Sequence, residues 1–136
     1  MLSPTTATIR LFLHVVAASI WVGGQFTLAG VVPTLRRSAS DATKPVAQAF
    51  ARLAWPAFLV TVATGLWNLM AVDITTASSS YQGTLMVKIA LAMASGAFVA
   101  LHQFGRTKLA LAVGGALGAL CAVAAMFFGI LLHTGA

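Results

Sequence analysis

Apolar residues fill four long stretches of the chain, separated by shorter polar connections. The stretches cover about residues 11–32, 55–72, 84–104 and 109–132. The first has 22 residues and no Asp, Glu, Lys or Arg. As a helix it is long enough to cross the roughly 30 Å hydrocarbon layer of a bilayer. The pattern predicts an all-α integral membrane protein, a four-helix transmembrane bundle that forms one domain over residues 1–136.

The first apolar stretch has a polar face. His14, Trp21 and Gln25 are spaced by seven and then four positions, which places them in one sector of a helix. Gly23 and Gly24 lie beside this sector, where a neighbouring helix can approach closely. Because an imidazole is costly in lipid, we expect this face to contact protein.

Signals for helix ends lie in the connections. Thr5, Thr6 and Thr8 are candidate caps for the first helix, and Pro33 predicts its end. The polar segment 73–83 reads as a loop, and residues 105–108 as a tight basic turn.

A short amphipathic helix is predicted in the first connection. Val46, Phe50 and Leu53 form its apolar side, and Thr43 or Asp41 is its candidate cap. We expect this helix to continue into the second span.

The composition is that of a membrane protein. Hydrophobic residues make up 60% of the chain, charged residues only 7%, and the mean hydropathy is +0.95. A soluble domain has about a quarter charged residues. Eight Lys and Arg residues oppose two acids, but six of the eight bases lie in connections between spans. They therefore indicate membrane topology rather than nucleic-acid binding.

The distribution of basic residues predicts the orientation. Arg10, in the loop before the first apolar stretch, is the one loop base that opposes the predicted orientation, and the middle connection has no base. Connections one and three therefore belong in the cytoplasm, and both termini outside a cell inner or plasma membrane. The bases of those two connections are Arg36, Arg37, Lys44, Arg52, Arg106 and Lys108.

This orientation brings one polar residue of each span to the outer layer. These residues are His14, Asn68, Lys88 and His133. Lys88 could instead extend to the interface, and His133 could be a hydrated terminal residue. His102 lies roughly 20 Å from His14 in depth, so one metal ion cannot take both as ligands.

Other spacings predict packing. Lys88, Ser95 and His102 are seven positions apart and share a helix face. Trp55 and Trp67, near opposite ends of the second span, are typical of the membrane interface. A stripe of small residues in the fourth span predicts a close helix contact. It consists of Gly114, Gly118, Ala122, Ala125 and Gly129.

His14 is the main candidate for binding chemistry. We expect its ring to be neutral and to offer a nitrogen to a metal. His133, Met70 and Met126 are candidate further ligands, and thioether sulfur suits copper(I). The sequence has no nucleophile–base pair, phosphate loop or carboxylate dyad, so it does not favour an enzyme.

The chain resembles the membrane domain of the copper-resistance CopD family over about residues 11–100. The matching features are His14, Trp21-Val22-Gly23-Gly24, Pro33 before Arg36-Arg37, Thr64-Gly65 and Lys88. This resemblance implies copper uptake or resistance, with copper as the bound ion.

The same order of residues is similar to the HemJ type of protoporphyrinogen oxidase, a small haem-associated membrane protein of four helices. The matches are His14, Trp21, Gly24, Pro56, Lys88 and His102 followed by Gly105-Arg106. This resemblance implies haem b as cofactor, with His14, Lys88 and His102 as binding residues.

Three hypotheses of function result. The first is copper binding or translocation, and the alternative is a haem- or porphyrin-linked membrane oxidoreductase. The third is a non-catalytic accessory subunit of a membrane complex. The expected partners are the lipid bilayer and a second copy or a larger complex that contacts the Gly114/Gly118 face; no nucleic-acid partner is expected.

Overall fold

The computed structural model describes residues 2–135, and all regular structure in that range is helical. The four α-helices are α1 (Thr6–Ser38), α2 (Thr43–Met70), α3 (Ser79–Phe104) and α4 (Lys108–Thr134). A 3₁₀ turn, Ser40–Ala42, joins α1 to α2. The predicted all-α class is confirmed.

All four helices are long and apolar enough to cross a membrane. They have 33, 28, 26 and 27 residues, and at about 1.5 Å per residue each exceeds the roughly 30 Å apolar layer. Many large apolar side chains are exposed on their outer surfaces, among them Phe26, Leu59, Leu120 and Ile130. Lipid contact removes that surface from water, which fits a multi-pass membrane protein.

Helix α1 is longer at both ends than the predicted span. Thr5 caps it: the Thr5 side chain accepts a hydrogen bond from the Thr8 N–H, and the Thr8 hydroxyl accepts one from the Thr5 N–H. Arg10 therefore lies inside a helix, not in a loop. The predicted end at Pro33 was wrong, because α1 continues to Ser38. A membrane helix tolerates an internal proline when other groups satisfy the backbone carbonyl that the proline leaves without a hydrogen bond.

Helix α2 confirms that the amphipathic segment around Phe50 continues into the second span. The predicted caps were wrong: Asp41 lies in the 3₁₀ turn, and α2 begins without a side-chain cap. The reason lies in the turn itself. It leads directly into α2, so the Thr43 N–H donates to the Ser40 carbonyl and needs no side-chain acceptor.

Serine and threonine caps begin the last two helices. Ser78 accepts a hydrogen bond from the Tyr81 N–H, and Thr107 accepts one from the Ala110 N–H. Because Ser78 supports a helix start within the polar segment, the predicted loop 73–83 is shorter. Residues 79–83 belong to α3.

The chain divides into two compact units at Val72. In the first unit α1 packs on α2, and in the second α3 packs on α4. Each pair is an antiparallel helical hairpin. The organisation of residues 1–136 as one domain stays a prediction.

The small-residue stripe of α4 packs against α3. Gly114, Gly118, Ala122 and Ala125 are buried. A Cβ atom at Gly114 would lie 2.6 Å from the His102 backbone nitrogen and 2.7 Å from the Phe98 carbonyl oxygen. The predicted close contact is thus made within the chain, so a second copy would have to use a different face.

Candidate functional site

Polar side chains pair across the α1–α2 hairpin near its open end. Arg10 Nε donates to Asn68 Oδ1 at 2.6 Å, and His14 Nδ1 lies 2.9 Å from Thr64 Oγ1. Arg10 and His14 are four positions apart on α1, as Thr64 and Asn68 are on α2. The two pairs therefore occupy successive turns of both helices. We call these four residues the polar ladder.

The hydrogen bonds of Thr64 determine which His14 nitrogen carries a proton. The Thr64 hydroxyl has one hydrogen, which it donates to its own helix, at 2.6 Å from the Val60 carbonyl oxygen. Its oxygen must therefore accept the bond from His14 Nδ1. In the neutral ring Nδ1 is protonated, and Nε2 has the lone pair that a metal requires.

Gly65 lies against the His14 ring. A Cβ atom at position 65 would be 3.4 Å from His14 Cε1 and 3.8 Å from Nδ1, which is ordinary van der Waals contact. Thr64 and Gly65 together fix the position of the His14 ring. The Thr64 hydroxyl bonds Nδ1, and Gly65, which has no side chain, leaves room for Cε1.

An aromatic cluster lies below the ladder. Trp21, Trp55 and Phe58 are in mutual contact, with ring centroids 4.6–5.9 Å apart, and Trp21 is only 4% exposed. His14 and Trp21 thus both contact α2, as their shared face predicted. Gln25 differs, since its amide donates to the Trp21 carbonyl of its own helix. Trp55 packs in this cluster and is not simply an interfacial residue, whereas Trp67 is 42% exposed.

The predicted face of α3 contacts α4. Ser95 is 1% exposed and its hydroxyl donates to the Gly118 carbonyl at 2.8 Å. The Lys88 side chain extends across Gly129, where a Cβ would lie 3.2 Å from Nζ. His102 Nδ1 donates to the Leu111 carbonyl, because a carbonyl only accepts. Lys88 and His102 therefore both contact α4 within the second unit.

The other predicted ligands are divided between the two units, with Met70 in the first and Met126 and His133 in the second. Met70, the last residue of α2, is 86% exposed. Met126 and His133 are seven positions apart on α4, about 10 Å along its axis. Across the described residues no three His, Cys, Asp or Glu side chains are grouped as a metal site. His14 is the only predicted ligand that is oriented by a hydrogen bond in the first unit's described residues.

Sequence reasoning missed two members of the ladder as partners. The sequence pointed to Thr64 only as part of the Thr64-Gly65 pair that matches the CopD family, and it predicted a loop position for Arg10. The signal was present: Thr64 and Asn68 repeat the four-residue spacing of Arg10 and His14, and an antiparallel hairpin pairs such positions in reverse order.

No protein-family model matches the chain, and neither a curated protein nor a solved structure matches it. The site is therefore interpreted from its own geometry.

Proposed function

We propose that this protein is a haem-binding membrane protein of redox function, in which His14 Nε2 would hold the iron. The observation that supports it most directly is the hydrogen bond between His14 Nδ1 and Thr64 Oγ1. Histidines that bind metals commonly donate their second ring N–H to a neighbouring acceptor, which fixes both tautomer and orientation.

The residues of the ladder fit haem. A porphyrin supplies four nitrogen ligands itself, so one histidine from the protein suffices to hold the iron. Arg10, one turn from His14, is a cation, and haem carries anionic propionates. When bound, haem would supply one-electron chemistry, while Thr64 would hold the ring and the aromatic cluster would exclude water below it.

Copper binding or translocation is the second candidate. Met70 favours it, because an exposed thioether at the end of α2 can accept copper(I). Two features of the first unit are less suited to copper. A copper ion needs two to four protein donors, whereas His14 is the only one that is oriented among the described residues of this unit. The guanidinium of Arg10 would also repel a cation bound one turn away.

The proposed location is a cell inner or plasma membrane, with both termini outside. The basic residues support this orientation. Arg36 and Arg37 lie in the last turn of α1, and Lys108 begins α4, so these bases flank the connections α1–α2 and α3–α4. A reporter fused after residue 136 should be external, and one inserted at Ser40 cytoplasmic.

The test is the visible spectrum, haem content and copper content of the full chain purified in detergent. We expect a Soret band in the parent and its loss in His14→Ala. Thr64→Val should lower haem affinity by about tenfold, since it removes the acceptor that orients the ring. Thr64→Ser keeps a hydroxyl and should retain binding.

His133→Ala is the matched control, because His133 is an exposed histidine of α4. It should leave the spectrum unchanged. A colourless parent with stoichiometric copper that His14→Ala loses would replace haem by copper. A Soret band that only His102→Ala removes would move the site to the second unit.

A further inference from the structure

Arg10 is a membrane-helix cation whose orientation is fixed by the chain. It lies in the second turn of α1, half-buried, and its Nε donates to Asn68 Oδ1 at 2.6 Å. A guanidinium has five N–H donors in a planar fork, so this bond directs the Nε side of the group towards Asn68 and uses only one donor.

Of the acidic side chains, one is distant from Arg10 along α1 and the other has hydrogen-bond partners in its own turn. The chain has two, Asp41 and Asp73. Asp41 lies in the 3₁₀ turn beyond the far end of α1, about 40 Å from Arg10 at 1.5 Å per residue. The Asp73 carboxylate accepts the hydroxyl and N–H of Thr75 in its own turn. A half-buried cation beside apolar helices is stabilised by an anion, and the remaining N–H donors of Arg10 can bind one that a ligand supplies.

We infer that Arg10, held by Asn68, binds a carboxylate of the ligand that His14 coordinates, namely a haem propionate. This inference rests on the proposed function. Arg10 and His14 are on one face of α1 with Cα atoms about 6 Å apart along the axis. Their partners on α2 repeat that spacing, so the hairpin presents a nitrogen for the iron and a fork for an anionic oxygen on successive turns.

A lipid phosphate offers the same anionic oxygens as a propionate. The two sources differ in one testable respect: only a propionate is part of the porphyrin. Blocking the propionates as methyl esters removes their charge and leaves the iron and its ring nitrogens intact. Affinity for the ester therefore reports on the carboxylates alone.

The experiment titrates the full chain, produced without haem and purified in detergent, with haem and with haem dimethyl ester. The Soret change gives each dissociation constant. The parent should bind haem at least about tenfold more tightly than the ester, which corresponds to about 1.4 kcal/mol. Arg10→Gln should bind both porphyrins equally, at the affinity the parent has for the ester.

Two further variants separate charge from geometry. Arg10→Lys keeps the cation without the planar fork and should retain part of the preference for haem. Lys44→Gln removes a cation from the exposed start of α2 and should keep the full preference.

The possible failures are distinguishable. If the parent binds haem and its ester equally, and His14→Ala binds neither, the Arg10 inference is overturned and the His14 proposal stands. Arg10 would then be assigned to lipid phosphate. If the parent binds neither porphyrin, the proposed function fails, and the inference fails with it.

Discussion

The two helical hairpins of this chain are held together by different kinds of contact. In the α1–α2 hairpin the buried residues include Trp21 and Phe58, and polar pairs occupy the turns near the open end. In the α3–α4 hairpin the buried residues are all small. They are Ser95, Gly96, Gly114, Gly118, Ala122 and Ala125.

This difference is consistent with the proposal that the first hairpin binds a ligand, since its interface contains polar side chains. Around Gly114 the two helices approach so closely that a single added carbon would meet backbone atoms of α3. In the α1–α2 hairpin, side chains fill the interface, and one of them is an oriented histidine. The first hairpin can therefore present groups to a ligand, while the second is a close-packed support.

The largest loss of stability should come from the aromatic cluster of the first hairpin. Trp21→Ala removes a 4% exposed ring that contacts both Trp55 and Phe58. We expect it to reduce the free energy of unfolding by about 3 kcal/mol or more. Trp67→Ala, at a 42% exposed position of the same hairpin, should cost much less. Unfolding of both variants in mixed detergent micelles compares them, and equal losses would show that the cluster does not hold the hairpin.

A smaller loss is expected when the second hairpin is forced apart. Gly114→Ala places a Cβ within 2.6–2.7 Å of α3 backbone atoms, and backbone cannot move aside as a flexible side chain can. We expect a cost of about 1–3 kcal/mol in the same assay. Gly23→Ala in α1 is the matched control, since no atom lies within 4 Å of its added Cβ. If Gly114→Ala is as stable as this control, close packing is not what joins α3 to α4.

The sequence predicts these contacts unevenly. Two of the contacting faces could be predicted from residue spacing, because residues three, four or seven positions apart lie on the same side of a helix. They are the stripe from Gly114 to Gly129 and the face of Lys88, Ser95 and His102. The structure places the second set against the first. Spacing alone cannot tell whether such a stripe meets a helix of the same chain or of another copy, since both contacts have the same chemistry.

The helix ends and the ladder were harder to predict. Pro33 reads as a stop, yet α1 continues past it to Ser38. Trp55 reads as interfacial, and only the pairing of α1 with α2 reveals that it contacts Trp21. Thr64 is an ordinary residue until its hydroxyl is found to donate to Val60 and accept from His14. The contacts of Trp55 and Thr64 depend on the register of α1 against α2, which a single sequence does not state.

The smallest expected effect is at the solvent-exposed Asp73 turn, which contrasts with the partly buried polar ladder. The Thr75 hydroxyl, 2.6 Å from Asp73 Oδ1, and then the Thr75 N–H lower the pKa of that carboxyl below its ordinary value. The resulting stabilisation is present above the unfolded pKa and is lost as the pH falls through the lower folded pKa. Because the carboxylate is fully exposed, the change should barely alter unfolding. Carboxyl NMR titration of the full chain should give a midpoint below that of an unfolded peptide, and Thr75→Val should raise it. An unchanged midpoint in Thr75→Val would show that the Thr75 hydroxyl does not stabilise the Asp73 carboxylate.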